Sequence, residues 1–269
     1  MRIVVANRKG GCGKTMLSLN IAGTLAAHGK RILLFDLDPQ ASLSEILHRY
    51  ADQVSQPLSN TLLAGDLAAS ITPTHIPAID FVPADEHLSE INRGVDPHSR
   101  RTIRGRERLL ANLLARSETT LSQYDMLIFD TPPDTRGDLT STALVVADLV
   151  VVPIDPHAGA RGAAVDILTL VEELQPFSDR TLHLALILSR IKMQTGSYDL
   201  QAADAARDAF GDSACKTIVP SWLAFPKAAE DGMPVAFVRG SDFNRAASVI
   251  YSLLQEVDRR LDGQLELPK

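Results

Sequence analysis

A doubly wound α/β fold, with a mainly parallel sheet and helices on both faces, is predicted by three features of the sequence. Short β-branched runs alternate with amphipathic helical stretches along the whole chain. Several of the runs are apolar at consecutive positions, as strands buried on both faces are. A glycine-rich turn, Lys9-Gly10-Gly11-Cys12-Gly13-Lys14-Thr15, joins the first run to the first helical stretch. Folds of this kind take their ligands there, at the carboxyl ends of the strands.

In chain order, strands are expected at Arg2–Ala6, Arg31–Asp36, Asp80–Pro83, Met126–Asp130, Leu149–Ile154, Leu182–Ser189 and Lys216–Val219. Helices are expected at Lys14–His28, Ala158–Glu173, Leu200–Phe210 and Asp242–Leu261. The stretch from Ala51 to Arg108 is the least regular and reads as short helices and loops around one strand. No low-complexity linker, repeat or composition shift divides the chain, so residues 1–269 are expected to form a single domain.

Hydrophobic residues at 45% and charged residues at 22% exclude a disordered or fibrous chain. A net charge of -6 argues against a surface coated with basic groups but leaves room for a local basic patch. Cys12 and Cys215 are too few for a disulfide framework, and Cys12 lies inside the glycine-rich turn; a reducing cytosol fits. The first apolar run is too short for a secretory signal, and the stretch Ala143 to Ile154 is broken by Asp148 and too short to cross a bilayer. A cytoplasmic protein is expected. The histidines show no metal-ligand spacing, and no zinc site is expected.

The turn itself has the composition of a phosphate cradle. Small residues let consecutive backbone N–H groups face phosphate oxygens, and the helix N-terminus adds a favourable dipole. Lys14 is placed to neutralise the β- and γ-phosphates of a nucleoside triphosphate, and the Thr15 hydroxyl to ligate Mg²⁺. The usual spacing asks for glycine at position 8, where this chain has Arg8. Lys9 precedes the cradle, so its side chain need not serve its own subunit; a cation supplied across an interface would make ATP the bridge between two copies. A surface lysine at a loop edge is the alternative.

Carboxylates follow two of the expected strands. Asp36 and Asp38, two apart on an extended segment, point to the same side. Asp36 is placed to contact Mg²⁺ through water, and Asp38 to orient or deprotonate the attacking water; capping of a helix that begins near Ser42 is the alternative for either one. Met126-Leu127-Ile128-Phe129-Asp130 is an apolar run ending in an acid, the Walker B arrangement that presents one carboxylate to the metal. Thr131-Pro132-Pro133 stiffens the next loop, and Gly137 is expected to let it move.

Taken together, Lys9 to Thr15, Asp36-Leu37-Asp38-Pro39-Gln40 and Asp130-Thr131-Pro132-Pro133 resemble the ParA/MinD family of deviant Walker A ATPases, and Asp38-Pro39-Gln40 is similar to its ParA branch. The resemblance runs in order to Val152-Pro153 and more loosely to the C-terminus. It implies a P-loop ATPase using ATP and Mg²⁺ that forms a nucleotide-sandwich homodimer and binds DNA nonspecifically when ATP-loaded. It also implies stimulation by a ParB-like, centromere-binding partner, a role in plasmid or chromosome segregation, and nucleoid association in the ATP state. Under this resemblance Lys9 crosses the dimer interface, Asp38 supports hydrolysis with Lys14, and Thr15, Asp36 and Asp130 serve the metal. The nucleotide is assigned Lys9, Gly10, Gly11, Cys12, Gly13, Lys14, Thr15 and Met16, with Asp130, Arg190 and Pro220.

The chain departs from the family's pattern in three places. It begins directly at the first strand, like the short ParA type without an N-terminal DNA-binding domain. Ser189-Arg190 stands where many relatives have Asn, and Pro220-Ser221-Trp222 where many have Pro-Arg-Asn; both places lie near the adenine in the family. The C-terminal stripe of Ala246, Val249, Ile250, Leu253, Leu254, Val257 and Leu261 has a polar face diluted by Asp258, Asp262 and Glu266, so it is expected to pack on the core rather than on a membrane.

For DNA the densest basic cluster is Arg100, Arg101, Arg104, Arg106 and Arg108. If helical, it sets Arg100, Arg104 and Arg108 on one face, with Gly105 weakening the helix by roughly 1 kcal/mol. Such a stripe could grip phosphates without reading sequence, or be a solvated helix face. The resemblance points instead to the C-terminal half, where Arg190, Lys192, Lys216, Lys227, Arg239 and Arg245 are the candidates. Two other functions remain open: an ATPase that positions a protein cargo such as a chemotaxis, secretion or conjugation complex, and an ATP-dependent small-molecule enzyme on the same scaffold.

Overall fold

The inner strands of the sheet form where the chain has four or more consecutive apolar residues, because a sheet covered on both faces has no polar side to satisfy. A computed structural model describes residues 1–97, 102, 105–133, 137–155, 160–178, 180–193 and 198–267. Its strands are β1 (Arg2–Val5), β2 (Ile32–Asp36), β3 (Thr72–Pro73), β4 (Ile79–Val82), β5 (Met126–Asp130), β6 (Leu149–Ile154), β7 (His183–Ile191) and β8 (Val219–Pro220). They make one sheet in the order β3-β4-β2-β5-β1-β6-β7-β8. Every pairing is parallel except that of β3 with β4. All residues of β2, β5 and β6 are buried.

The helices are α1 (Lys14–Ala27), α2 (Ser42–Leu47), α3 (Leu58–Ala64), α4 (Leu88–Asn92), α5 (Leu109–Arg116), α6 (Glu118–Leu121), α7 (Asp138–Val145), α8 (Ala160–Leu174), α9 (Tyr198–Phe210), α10 (Ala224–Glu230) and α11 (Ser241–Arg260). The pleat divides them between two cores. Ile3, Val5, Ile32, Leu34 and Ile128 face the side covered by α1, α2, α10 and α11. Val4, Leu33, Phe35, Leu127 and Phe129 face α3, α5, α7, α8 and α9, with the Phe35 and Phe129 rings stacked at 4.7 Å. The doubly wound expectation is met, and the C-terminal stripe is buried in the first core as expected except at Val249, which lines a cavity beside Trp222. Among the described residues no helix is long and apolar enough to cross a membrane.

Four departures have local causes. β8 begins at Val219 rather than Lys216 because Glu256 takes the backbone N–H groups of Lys216 and Thr217, at 2.7 and 2.8 Å, away from the sheet. β3 is a two-residue antiparallel edge that the sequence did not signal. Gly137 is not a free hinge: a Cβ there would lie 2.1 Å from the Asn92 side chain, so glycine is needed for that close approach. Among the described residues no α-helix runs from Gly105 into Arg108. Gly105 adopts φ +62°, and Arg108 closes a single 3-10 turn that leads into α5. Arg100, Arg101 and Arg104 lie outside the described residues.

Glu256 also makes a stability prediction. Burial alone would raise its pKa, but the N–H groups of Lys216 and Thr217, the Thr217 hydroxyl and Arg260 outweigh that and hold it below the usual carboxylate value. Its contribution is therefore complete at neutral pH and is lost as the pH falls through and below the ordinary glutamate range. Glu256→Gln is expected to cost about 1–3 kcal/mol at pH 7 and to flatten the acid limb of a stability–pH curve. An unchanged melting temperature at pH 7 would refute this.

Candidate functional site

The central strand β1 delivers the chain to the site. Asn7 follows it, buried, and its side chain accepts from Lys9 N–H at 2.9 Å and donates to the Pro153 carbonyl at 2.5 Å, so the turn is anchored to the end of β6. Gly11 and Gly13 take φ of +72° and +97°, the left-handed conformation that turns successive amides inward. A Cβ on Gly13 would lie 3.0 Å from Ser189 Oγ. Helix α1 starts at Lys14, giving the cradle its N-terminal dipole.

Lys14 is buried, with its ammonium 3.4 Å from the Lys9 carbonyl. Lys9 is placed differently. Its ammonium lies 3.6 Å from Asp155 and is partly exposed, and Lys9 does not line the cleft above the cradle. Arg8, in the place of the usual glycine, pairs outward with Asp166 at 2.6 Å. Burial pushes the Cys12 thiol up, so it is no nucleophile.

Asp36 and Asp130 are register partners on adjacent strands, both at the carboxyl end and both buried. Burial raises both carboxyls above the usual range, and the proximity of Asp130 adds to the rise at Asp36. Ser44 N–H and hydroxyl, each 2.8 Å from Asp36, oppose it there. Hydrogen bonds from Thr15 and Ser18 oppose it at Asp130, with Ser18 Oγ at 3.0 Å. Asp36 thus holds the first turn of α2, the capping role set beside its metal role above. Asp38 is half-buried, lines the cleft, and accepts from Gln40 N–H at 3.0 Å.

Magnesium fits the residues present. Asp130 Oδ2 is buried without a hydrogen-bond partner, beside the Thr15 hydroxyl. Among the described residues no group of three or more His, Cys, Asp or Glu forms a closed cage, as expected for an ion that keeps waters and takes phosphate oxygens besides one or two carboxylates.

A cleft of about 580 Å³ runs from the cradle to the start of α10, within the usual range for a ligand of nucleotide size. Gly10, Gly11, Gly13, Lys14, Thr15, Met16 and Asp38 line one end, with Arg190 and Pro220 beside them. Trp222, Leu223, Phe225 and Pro226 line the other, an apolar wall suited to a base. Arg245 stacks on Trp222 at 4.3 Å. The structure therefore brings the loop, Asp36, Asp38, Asp130, Arg190 and Pro220 together. Of the basic candidates for DNA, Arg190 lies in the cleft, Arg245 covers Trp222 and lines a neighbouring cavity with Thr217, and Lys216 lines a further cavity with Arg259 and Arg260. Lys192, Lys227, Arg239 and Arg108 are exposed.

The sequence did not reveal Asn7, Ser18, Ser44 or Asp155. Asp155 had a usable signal, since it directly follows the apolar strand β6 as Asp130 closes the apolar run of β5.

A phosphate cradle at the end of the central strand of a parallel sheet, with a buried carboxylate on the adjacent strand, defines a P-loop nucleoside triphosphatase. A family model described as an AAA domain matches residues 1–184, and the chain belongs to that family as a short ParA/MinD-type ATPase. It is similar to the sporulation initiation inhibitor protein Soj of Bacillus subtilis, 28% identical over 95% of this chain and 97% of Soj. It is similar also to the chromosome partitioning protein ParA of Caulobacter vibrioides, 29% identical over 97% and 96% of the two chains. Among solved structures, cobyrinic acid a,c-diamide synthase of Mycobacterium smegmatis with a bound ATP analogue and magnesium shares the fold, with TM-score 0.73. That match is 23% identical and covers 100% of this chain and 98% of the synthase.

Proposed function

We propose that this chain binds ATP and Mg²⁺, dimerises on the bound nucleotide, holds DNA nonspecifically in that state and moves a plasmid or chromosome through partner-stimulated hydrolysis. The observation that carries the proposal is the division of labour between two lysines. Lys14 faces the cleft, whereas Lys9 stands outside it on Asp155. A cation attached to the loop but turned away from its own nucleotide is placed for a second copy's. The Thr15 hydroxyl and Asp130 would hold the metal with Asp36 behind them, and Asp38 would orient the attacking water; the bound metal would supply charge neutralisation at the phosphates. The similarity over nearly the whole chain to the chromosome partitioning protein ParA of Caulobacter vibrioides supports the reading.

The pairing of Arg106 with Asp138 at 2.7 Å takes one cation of the arginine cluster away from a DNA phosphate and favours a second reading, in which the same ATPase positions a protein cargo. One experiment separates the two. Gel filtration and retention on nonspecific DNA are compared with ATP, ADP and no nucleotide. Segregation on DNA predicts an ATP-specific dimer retained at low salt, with affinity falling steeply as salt rises. An ATP-specific dimer with no DNA retention at any ionic strength would reject DNA as the track and favour the protein cargo. A monomer under all conditions, with turnover only when a small acceptor is supplied, would reject both in favour of small-molecule chemistry on this scaffold.

A further inference from the structure

We propose that Arg190 is a phosphate-binding cation supplied by the chain to its own nucleotide, parked on the phosphate loop until the triphosphate arrives. Arg190 is a non-glycine residue at φ +61°, a conformation that persists where the surroundings enforce it and that clusters at ligand sites. The enforcing feature is a slip in the pairing of β7 with β8 between Ser189 and Ile191. Irregularities of this kind re-aim a side chain beside an active site. Here the side chain is carried over the cradle, where the guanidinium donates to the Gly11 carbonyl and lines the cleft with Gly13, Lys14 and Thr15.

Two further observations point to an anion. Arg8, Arg106 and Arg180 each have a carboxylate partner, whereas among the described residues Arg190 has none. Its neighbour Ser189 is fully buried, yet Ser189 Oγ has no hydrogen-bond partner and lies against Gly13. An exposed bond to one neutral carbonyl is weak recompense for a strained backbone and for crowding a second cation near Lys14. A guanidinium facing phosphate oxygens makes shorter, charge-assisted and often bidentate bonds. The parked contact also pre-forms the loop and leaves the side chain a short swing from the phosphates.

This inference rests on the nucleotide site alone and not on DNA or a partner. The test compares wild type with Arg190→Lys, Arg190→Gln and Arg190→Gly by calorimetric titration with Mg-ATP and inorganic tripolyphosphate, without DNA, and by thermal melting. Gln and Gly should raise the Kd for both ligands by about 10–100-fold, while Lys retains most of the affinity. Arg190→Gly should melt about 2–4 °C above wild type, because it relieves the backbone. Wild-type affinity in Arg190→Gln would overturn the proposal, as would equal losses in Lys and Gln, which indicate a loop clamp rather than a charge. An Arg190→Gly protein no more stable than wild type would remove the strain on which the parked state depends. Failure of the wild-type chain to bind ATP at all would instead reject the nucleotide site.

Discussion

Lys14→Ala is expected to weaken ATP binding by about 100-fold while the protein stays folded. Among the described residues Lys14 is the one ammonium that both lines the cleft and sits buried at the start of α1. Charge-assisted hydrogen bonds to phosphate contribute about 1.5–3 kcal/mol each, and alanine removes them. The fold should tolerate the loss, because the ammonium bonds a loop carbonyl at 3.4 Å and removing a buried charge relieves desolvation. Calorimetry with Mg-ATP and a parallel melting curve check both halves. A Kd within about threefold of wild type would sink the assignment of the cradle.

Gly23→Ala is expected to destabilise the protein, reversing the usual sign for glycine in a helix. In an exposed helix interior alanine gains about 1 kcal/mol over glycine. At Gly23 the added Cβ would lie 2.2 Å from Pro234 Cβ and 2.5 Å from its Cγ. The proline ring cannot flex away, and the next residue is fixed: Val235 N–H donates to the buried Asn20 side chain at 2.8 Å. Helix α1 must therefore move, at a net cost of about 1–3 kcal/mol, or roughly 2–4 °C in melting temperature per kcal/mol. Nucleotide affinity should fall as well, since α1 carries Lys14 and Thr15 at its first turn. A variant that melts above wild type would refute the clash with Pro234.

What the sequence revealed followed from contiguity. The cradle, Asp36 with Asp38, and Asp130 are each contained in a few consecutive residues, and a strand before and a helix after suffice to place them. Composition predicts a modest cost to a helix at Gly105, whereas its φ of +62° precedes a 3-10 turn over Arg106–Arg108, a backbone choice that spacing does not encode. Ser18 and Asp130 are 112 residues apart, and Asn7 and Pro153 are 146 apart. Such partners depend on strand order, which places β5 and β6 on either side of β1. Arg190 was assigned to both nucleotide and DNA from resemblance; the slip in β7 that aims it into the cleft is visible only in the pairing.

Ser44 has a mechanical consequence. Its hydroxyl donates to Asp36 and in turn accepts from Ala84 N–H at 2.9 Å, 40 residues further along the chain. The end of β2, the first turn of α2 and the exit of β4 are thereby pinned at one atom. A shift of the segment carrying Asp38-Pro39-Gln40 must draw Ala84 with it, and α4 begins at Leu88, a short way beyond. An event at the phosphates is thereby expected to be felt as a tug on α4.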